Sequence, residues 1–97
     1  MKDVSVIVYT MKGCPFCEQF KETLKNENIE YVDRDIHEHK DEYDLFVKAT
    51  DNELIPSMLI IENINEVSPK SFLYAPDRNY DDLNEALEIV KKHMEII

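Results

Sequence analysis

Glycine and cysteine are scarce in this chain, and long apolar runs are missing. One glycine among 97 residues leaves few positions where the backbone is expected to take a positive φ angle. No run approaches the roughly 18–20 apolar residues of a membrane-spanning helix, so we expect no membrane segment. The N-terminal apolar run is too short and too strand-like for a signal peptide, which makes a cytoplasmic protein the expectation.

Basic residues are also scarce. The chain has 11 of them against 21 acidic residues, which gives a formal net charge of −10. Such a charge repels nucleic acid phosphates and anionic membranes, so neither is an expected partner. Solubility is the ordinary explanation for the acidic composition, and a preference for basic partner surfaces is the alternative.

Apolar periodicity predicts the element order β-α-β-α-β-β-α in one domain that spans residues 1–97. The predicted strands are Val4–Tyr9, Ile29–Ile36, Ser57–Ile61 and Ser71–Tyr74. The first predicted helix begins at Pro15, a residue that suits the first helical position, and the second spans roughly Lys40–Ala49. The last helix has an apolar stripe of Leu83, Ala86, Leu87, Val90, Met94 and Ile97.

This order predicts an α/β fold with a mixed sheet. A strand–helix–strand start requires a parallel pair joined by a right-handed crossover. The short polar link "ENINEVSPK" instead predicts an antiparallel hairpin between the third and fourth strands. The result is a mixed four-stranded sheet with helices on both faces, which is the minimal thioredoxin-like architecture.

The two cysteines, Cys14 and Cys17, lie three residues apart where the first helix begins. In a reducing cytoplasm such a pair is more often catalytic or metal-binding than a structural disulfide. The partial positive charge of a helix N-terminus stabilises a thiolate, and Lys12 adds to that field. Cys14 at the helix tip is therefore the predicted nucleophile, and the more buried Cys17 is the predicted resolving thiol.

Other interpretations of the cysteines remain open. In one, the pairing is accidental and Cys17 is a small apolar core residue. In another, the pair binds zinc, but a structural zinc site usually takes four protein ligands. His37 and His39 are the obvious additional ligands, and they lie in the charged stretch "DIHEHKDE". We predict no metal site, and we expect His93 to be an ordinary side chain near a helix end.

Four segments resemble the glutaredoxin family, in family order and over nearly the whole chain. "VIVYTMKGCPFC" resembles the active-site segment, and "YVDRDI" is similar to the second strand. "LIPSMLII" resembles the segment that contains the family's cis proline, and "NYDDLNEAL" resembles the start of the last helix. The resemblance implies a thioredoxin-like fold and a dithiol thiol-disulfide oxidoreductase that uses glutathione as its reductant.

The resemblance also implies roles for individual residues. Cys14 and Cys17 match the catalytic pair, and Pro56 matches the cis proline. The supporting residues of the active-site loop are Lys12, Pro15 and Phe16. The residues implied in glutathione binding are Lys12, Phe16, Ile55, Pro56, Tyr80, Asp81 and Asp82. Helix capping is the alternative role of the two aspartates.

The departures from the family pattern cluster at the glutathione site. Met11 stands where the family has a lysine, and Lys12 is displaced by one position. Arg78 and Asn79 replace the double glycine before the aspartates, although Asn79 is able to adopt a left-handed conformation. The segment between Pro56 and Asp81 is longer than usual, which predicts either an extended hairpin or a loop over the site.

Several functions are consistent with the resemblance. The leading hypothesis is a monomeric enzyme that reduces protein disulfides or glutathione mixed disulfides, with ribonucleotide reductase as one candidate protein substrate. A second hypothesis keeps this chemistry but takes electrons from a thioredoxin reductase. A third is an iron–sulfur cluster module that two subunits form with two glutathiones, which a proline after the first cysteine disfavours. The fourth is an interaction domain without redox activity.

Overall fold

The computed structural model describes residues 4–63 and 67–94. Its elements follow in the predicted order β1-α1-β2-α2-β3-β4-α3. The strands are β1 Val4–Thr10, β2 Val32–Asp35, β3 Ser57–Glu62 and β4 Lys70–Tyr74. The helices are α1 Pro15–Asn26, α2 Lys40–Thr50 and α3 Leu83–Met94. Within the described ranges, no helix has the length and apolar character needed to cross a membrane.

The four strands form one mixed sheet in the order β2-β1-β3-β4. β1 pairs in parallel with β2, and β3 is antiparallel to both of its neighbours, β1 and β4. The register places Ile7 opposite Val32 on one side of β1 and Val8 opposite Met58 on the other. These pairings confirm the predicted sheet, with its parallel start and its antiparallel hairpin.

Alternating side chains of the central strands give the sheet two apolar faces. On one face, α1 and α3 contribute the buried residues Phe20, Leu24, Ala86, Leu87 and Val90. On the other face, Tyr43 and Phe46 of α2 pack with Tyr9 of β1. Helices therefore cover both faces, as predicted. The apolar stripe of the last helix is confirmed at its described positions, whereas Ile97 lies outside the described residues.

The second strand, β2, is shorter than the predicted Ile29–Ile36, mainly at its start. Asn28 has a φ of 59°, and its N–H donates to the Lys25 carbonyl at 3.0 Å. The N–H of Ile29 donates to the Leu24 carbonyl at 2.9 Å. These two bonds form the Schellman motif that commonly closes a helix, here with asparagine in the position that glycine usually takes. Ile29 therefore belongs to the end of α1, and the strand prediction was wrong there.

The single glycine does not account for every positive φ angle in the chain. Gly13 has a φ of 80°, and four other described residues have positive φ: Asn28, Asp51, Asn63 and Asp77. All four are Asn or Asp, which tolerate the left-handed region better than other non-glycine residues. Asn79 is not among them. Its side-chain oxygen instead accepts the N–H of Ala75 at 3.0 Å, which helps to order the loop before α3.

Candidate active site

Cys14 and Cys17 lie at the first turn of α1, directly after the loop that leaves β1. Cys14 is the N-cap residue and Pro15 is the first residue of the helix, as predicted. The two Cα atoms are 5.2 Å apart, and the sulfurs are joined in a disulfide. This Cα separation is within the usual range for disulfides, so the backbone suits a pair that cycles between dithiol and disulfide.

The two sulfurs differ in their surroundings. Cys14 is 9% exposed, and Cys17 is fully buried. The N–H of Cys17 donates to Sγ of Cys14 at 3.2 Å, so one free N–H of the helix start points at that sulfur. This contact and the helix dipole both favour negative charge on Cys14. The geometry thus supports the predicted roles, with Cys14 as the attacking sulfur and Cys17 behind it.

Asp35, at the end of β2, lines a depression next to the loop between β1 and α1. Its carboxylate accepts the N–H of His37 at 2.8 Å and that of Glu38 at 3.3 Å. These hydrogen bonds, with that of His37 first, hold the pKa of Asp35 below its ordinary value. Sequence analysis did not identify this residue. The signal is an aspartate two residues before the N–H that it accepts, the Asx-turn pattern.

A groove of about 490 Å³ begins at the first turn of α1. Its volume is typical of a small-molecule site. The bond between Ile55 and Pro56, which form one wall, is cis, as the resemblance implied. The predicted glutathione-binding residues that line the groove are Phe16, Ile55, Pro56, Tyr80, Asp81 and Asp82. Sequence analysis missed four further lining residues: Gln19, Pro76, Leu83 and Asn84.

Pro76 belongs to the loop that follows β4 in the long segment between Pro56 and Asp81. The side-chain amide of Asn52 donates to the Pro76 carbonyl at 2.8 Å, and the N–H of Asp77 donates to the Tyr80 carbonyl at 2.9 Å. These bonds hold the loop against the rest of the domain. This loop contributes one wall of the groove. The choice between an extended hairpin and a loop over the site stays a prediction, because the link between β3 and β4 includes residues outside the described ranges.

Lys12 is the predicted glutathione contact that the structure separates from the others. It is exposed and lines a different depression, together with Glu18, Lys21, Asp33 and Asp35 among others. In that depression the ammonium of Lys21 lies 3.0 Å from both the Glu18 and the Asp33 carboxylates. The groove and the lysine that was expected to serve it are thus on different surfaces of the active-site loop.

Tyr80 lines the groove from a buried position, with only 4% of its surface exposed. Its hydroxyl donates a hydrogen bond to the carbonyl oxygen of Pro56. Burial raises the pKa of Tyr80, so the hydroxyl keeps its proton and stays a donor at neutral pH. Tyr80 therefore joins two walls of the groove, the segment before α3 and the cis-proline segment.

The two aspartates at the start of α3 have different surroundings. Oδ1 of Asp82 accepts the N–H of Glu85 at 2.9 Å, and the Glu85 carboxylate accepts the N–H of Asp81 at 3.1 Å. This reciprocal pattern resembles a capping box, so the capping alternative is confirmed for Asp82. The Asp81 side chain is exposed and has no hydrogen bond or ion pair among the described residues.

The histidines do not gather around the cysteines. Within residues 4–63 and 67–94, no group of three or more His, Cys, Asp or Glu side chains is arranged to hold a metal ion. His37 and His39 border a charged depression at the start of α2, where Nδ1 of His39 lies 3.4 Å from Nη1 of Arg34. His93 instead contacts Glu62 and Tyr74 at the opposite end of α3.

Comparisons with known proteins agree with this geometry. The family profile described as Glutaredoxin matches residues 6–60, which is more than half of the chain. No curated protein sequence matches the chain significantly. Among solved structures, a thioredoxin of Trichomonas vaginalis is similar, with a TM-score of 0.52, 14% sequence identity, and coverage of 92% of this chain and 78% of that one. At this identity the likeness concerns the thioredoxin-like fold alone. Because the matched range covers more than half of the chain and contains most of β1, both cysteines and Pro56, this chain belongs to the glutaredoxin family of thiol-disulfide oxidoreductases.

Proposed function

We propose that this protein is a dithiol glutaredoxin that reduces protein disulfides and glutathione mixed disulfides, and that glutathione restores its dithiol. The groove is the observation that carries the proposal. It extends from Phe16, between the two cysteines in sequence, past Pro56 to the start of α3. The unpaired carboxylate of Asp81 suits the ammonium group of glutathione, and the first N–H groups of α3 suit a carboxylate.

On a protein disulfide, the reductive half of the cycle needs both sulfurs. The Cys14 thiolate attacks one sulfur of the substrate disulfide, and the other substrate sulfur leaves as a thiolate that takes up a proton. Cys17 then loses its proton and attacks Sγ of Cys14, which releases the second substrate sulfur. The product is the Cys14–Cys17 disulfide present in the structure. Two electrons have passed from the dithiol to the substrate.

Two glutathiones complete the cycle. The first attacks Cys14, forms a mixed disulfide with it, and frees Cys17 as a thiol. The second attacks the glutathione sulfur of that mixed disulfide, so glutathione disulfide leaves and the Cys14 thiolate returns. The proposal includes a cytoplasmic location, because glutathione keeps thiols reduced in that compartment.

A second candidate keeps the chemistry and changes the electron source. Glutathione has two carboxylates, and among the described residues those that line the groove include no Lys, Arg or His. This observation favours weak glutathione binding and reduction of the disulfide by a thioredoxin reductase. The two candidates differ only in how the Cys14–Cys17 disulfide is reduced.

A glutathione-coupled reduction assay tests the proposal. We expect turnover with the wild-type protein and none with Cys14→Ser. Cys17→Ser is the matched control: it is expected to reduce glutathione mixed disulfides and to lose activity on protein disulfides, because the resolving attack is missing. Turnover that survives Cys14→Ser contradicts the proposal. Negligible turnover with glutathione, together with turnover supported by a thioredoxin reductase, selects the second candidate.

A further inference from the structure

The ionisable lining of the groove is acidic. Its charged side chains are those of Asp81 and Asp82, and the remaining lining residues are apolar, uncharged polar, or the buried Tyr80. The nearest basic residues in the sequence face elsewhere. Lys12 and Lys21 line the separate depression, and Nη1 of Arg78 lies 3.4 Å from both the Leu73 carbonyl and the Asn79 side chain.

One of the two carboxylates is available to a ligand. Asp82 already accepts the Glu85 N–H through Oδ1 as the cap of α3, so one of its oxygens is used within the chain. Asp81 is exposed, and no cation or donor pairs with its side chain in the part of the chain that the structure describes. An incoming ammonium or guanidinium group therefore meets a carboxylate without having to displace an existing partner.

The opposite end of the groove is apolar and accessible. Phe16 is 63% exposed although it lies between the two cysteines in sequence. Ile55 and Pro56 continue this apolar surface along the groove. Exposed aromatic side chains beside a pocket are typical anchors of a protein–protein contact. The groove thus presents an apolar anchor near the reactive sulfur and a free negative charge farther along.

We propose that this groove selects disulfides in polypeptide segments that carry an apolar residue and a lysine or arginine beside the cysteine. The inference rests on the proposed function, since the attacking sulfur is that of Cys14. In this arrangement the apolar side chain packs on Phe16, and the basic side chain pairs with Asp81. Glutathione has one net negative charge, so it gains less from the same groove than a basic peptide does.

The formal net charge of −10 is a competing source of the same preference. Its long-range attraction is screened over about 8 Å at physiological ionic strength. A contact with Asp81 is local and is screened less. The experiment must therefore compare the removal of this carboxylate with the removal of an equal charge elsewhere, and Glu88 provides that control. It is exposed, lies on the same helix, and does not line the groove.

The test uses three peptides of equal length that contain the same apolar residue and a cysteine in mixed disulfide with a small neutral thiol. The residue after the cysteine is Lys, Gln or Glu. The second-order rate constant of the reduced protein with each peptide is measured at 0.15 M salt, without glutathione. Each value is divided by the rate constant with dithiothreitol, which corrects for the reactivity of the peptide disulfide itself.

We expect the normalised rate constants to fall in the order Lys, Gln, Glu, with about a fivefold difference between the first and the last. Asp81→Asn is expected to reduce this ratio about twofold to threefold, and Glu88→Gln to leave it unchanged. Equal rates for the three peptides overturn the inference, as does an equal decrease in both variants. Thermal unfolding checks that Asp81→Asn is folded, and Asp81→Ser serves as a second variant.

This design separates the inference from the proposal on which it rests. If wild-type protein reacts with all three peptides and Cys14→Ser with none, the thiol chemistry holds whatever the order of the peptides. Equal normalised rate constants for the three peptides then overturn the charge selection alone. If the peptides react equally well with Cys14→Ser, the proposed function fails, and the charge selection fails with it.

Discussion

The polar side chains at the two ends of α3 differ in whether they have hydrogen-bond partners within the chain. At the start of the helix, the groove contains the Asp81 carboxylate, which has no partner among the described residues. At the end, the ring of His93 lies between two side chains of the sheet. Its Nδ1 is 2.5 Å from Oε2 of Glu62, and its Nε2 is 2.6 Å from the Tyr74 hydroxyl. One end leaves a carboxylate without a partner among the described residues, and the other pairs its polar groups within the chain.

The His93 network is mostly buried and joins the helix to the sheet. The side chains of His93 and Glu62 are 11% and 15% exposed. The Phe72 ring packs on the imidazole at a centroid distance of 4.7 Å. Burial, and then the charge of Glu62, raise the pKa of Tyr74, so its hydroxyl stays protonated at neutral pH. We infer that this end of α3 contributes to stability and the other end to binding.

His93→Ala tests that division and has the largest expected effect. It removes a hydrogen-bond partner from both Glu62 and Tyr74 and opens a space beside Phe72. We expect the free energy of unfolding to fall by about 2–3 kcal/mol, measured by urea denaturation. The rate constant of Cys14 with a small disulfide, per folded molecule, is expected to stay unchanged.

His37→Ala is the matched control for His93→Ala. The His37 side chain is exposed, and the hydrogen bond that this residue makes to Asp35 uses its backbone N–H. We expect a change within about 0.5 kcal/mol. A His93→Ala variant as stable as His37→Ala removes the stabilising role of the network. A slower Cys14 reaction in folded His93→Ala shows instead that the two ends of the helix are coupled.

Tyr80→Phe tests whether a hydrogen bond beside the groove also contributes to stability. The substitution deletes the hydroxyl that donates to the Pro56 carbonyl and leaves that buried acceptor unpaired. We expect the free energy of unfolding to fall by about 1–2 kcal/mol. Tyr31→Phe is the control, because the Tyr31 hydroxyl has no hydrogen bond among the described residues, and we expect almost no change. Equal stabilities of the two variants contradict a structural role for the Tyr80 hydroxyl.

The elements of this fold were predictable from sequence because their apolar patterns are local and strong. Residues 6–9 of β1 form an uninterrupted apolar run that is buried on both sides, and α3 has an apolar stripe at helical spacing. The start of β2 was not predictable from its β-branched and aromatic composition alone. The bond from Ile29 to Leu24 closes α1, and side-chain propensity gives little indication of which of two neighbouring elements will take a residue.

The residues of the candidate site likewise fall into those that the sequence identified and those that it missed. Cys14 and Pro56 were identified because their chemistry and spacing follow a family pattern. Pro76 was missed, because it reaches the groove through a loop whose path depends on the tertiary hydrogen bond from Asn52. Asp35 was missed although its turn with His37 is a local pattern. Lys12 was placed in the glutathione site from its position along the chain, yet it lines a different depression.

The two aspartates of the groove are expected to differ in how much each stabilises the start of α3. Asp82→Ala removes the N-cap of α3, and we expect a loss of about 1 kcal/mol in the free energy of unfolding. Asp81→Ala removes an exposed carboxylate without a partner, so a change within about 0.5 kcal/mol is expected. Urea denaturation of both variants at the same pH measures the difference. Equal losses indicate that the Asp81 carboxylate also stabilises the helix start, which leaves it less available to a ligand.

Ser57 gives the smallest expected effect, and its sign is opposite to the others. The residue directly after Pro56 is fully buried, and its hydroxyl has no hydrogen-bond partner among the described residues. Because burying an unpaired hydroxyl costs free energy, Ser57→Ala is expected to raise the free energy of unfolding by about 0.5–1 kcal/mol. Ser71→Ala, at an exposed position of β4, is the control and is expected to change little. A loss of stability in Ser57→Ala means that the hydroxyl has a hydrogen-bond partner in solution. The region around the groove then pairs its polar groups within the chain, as the His93 end of α3 does.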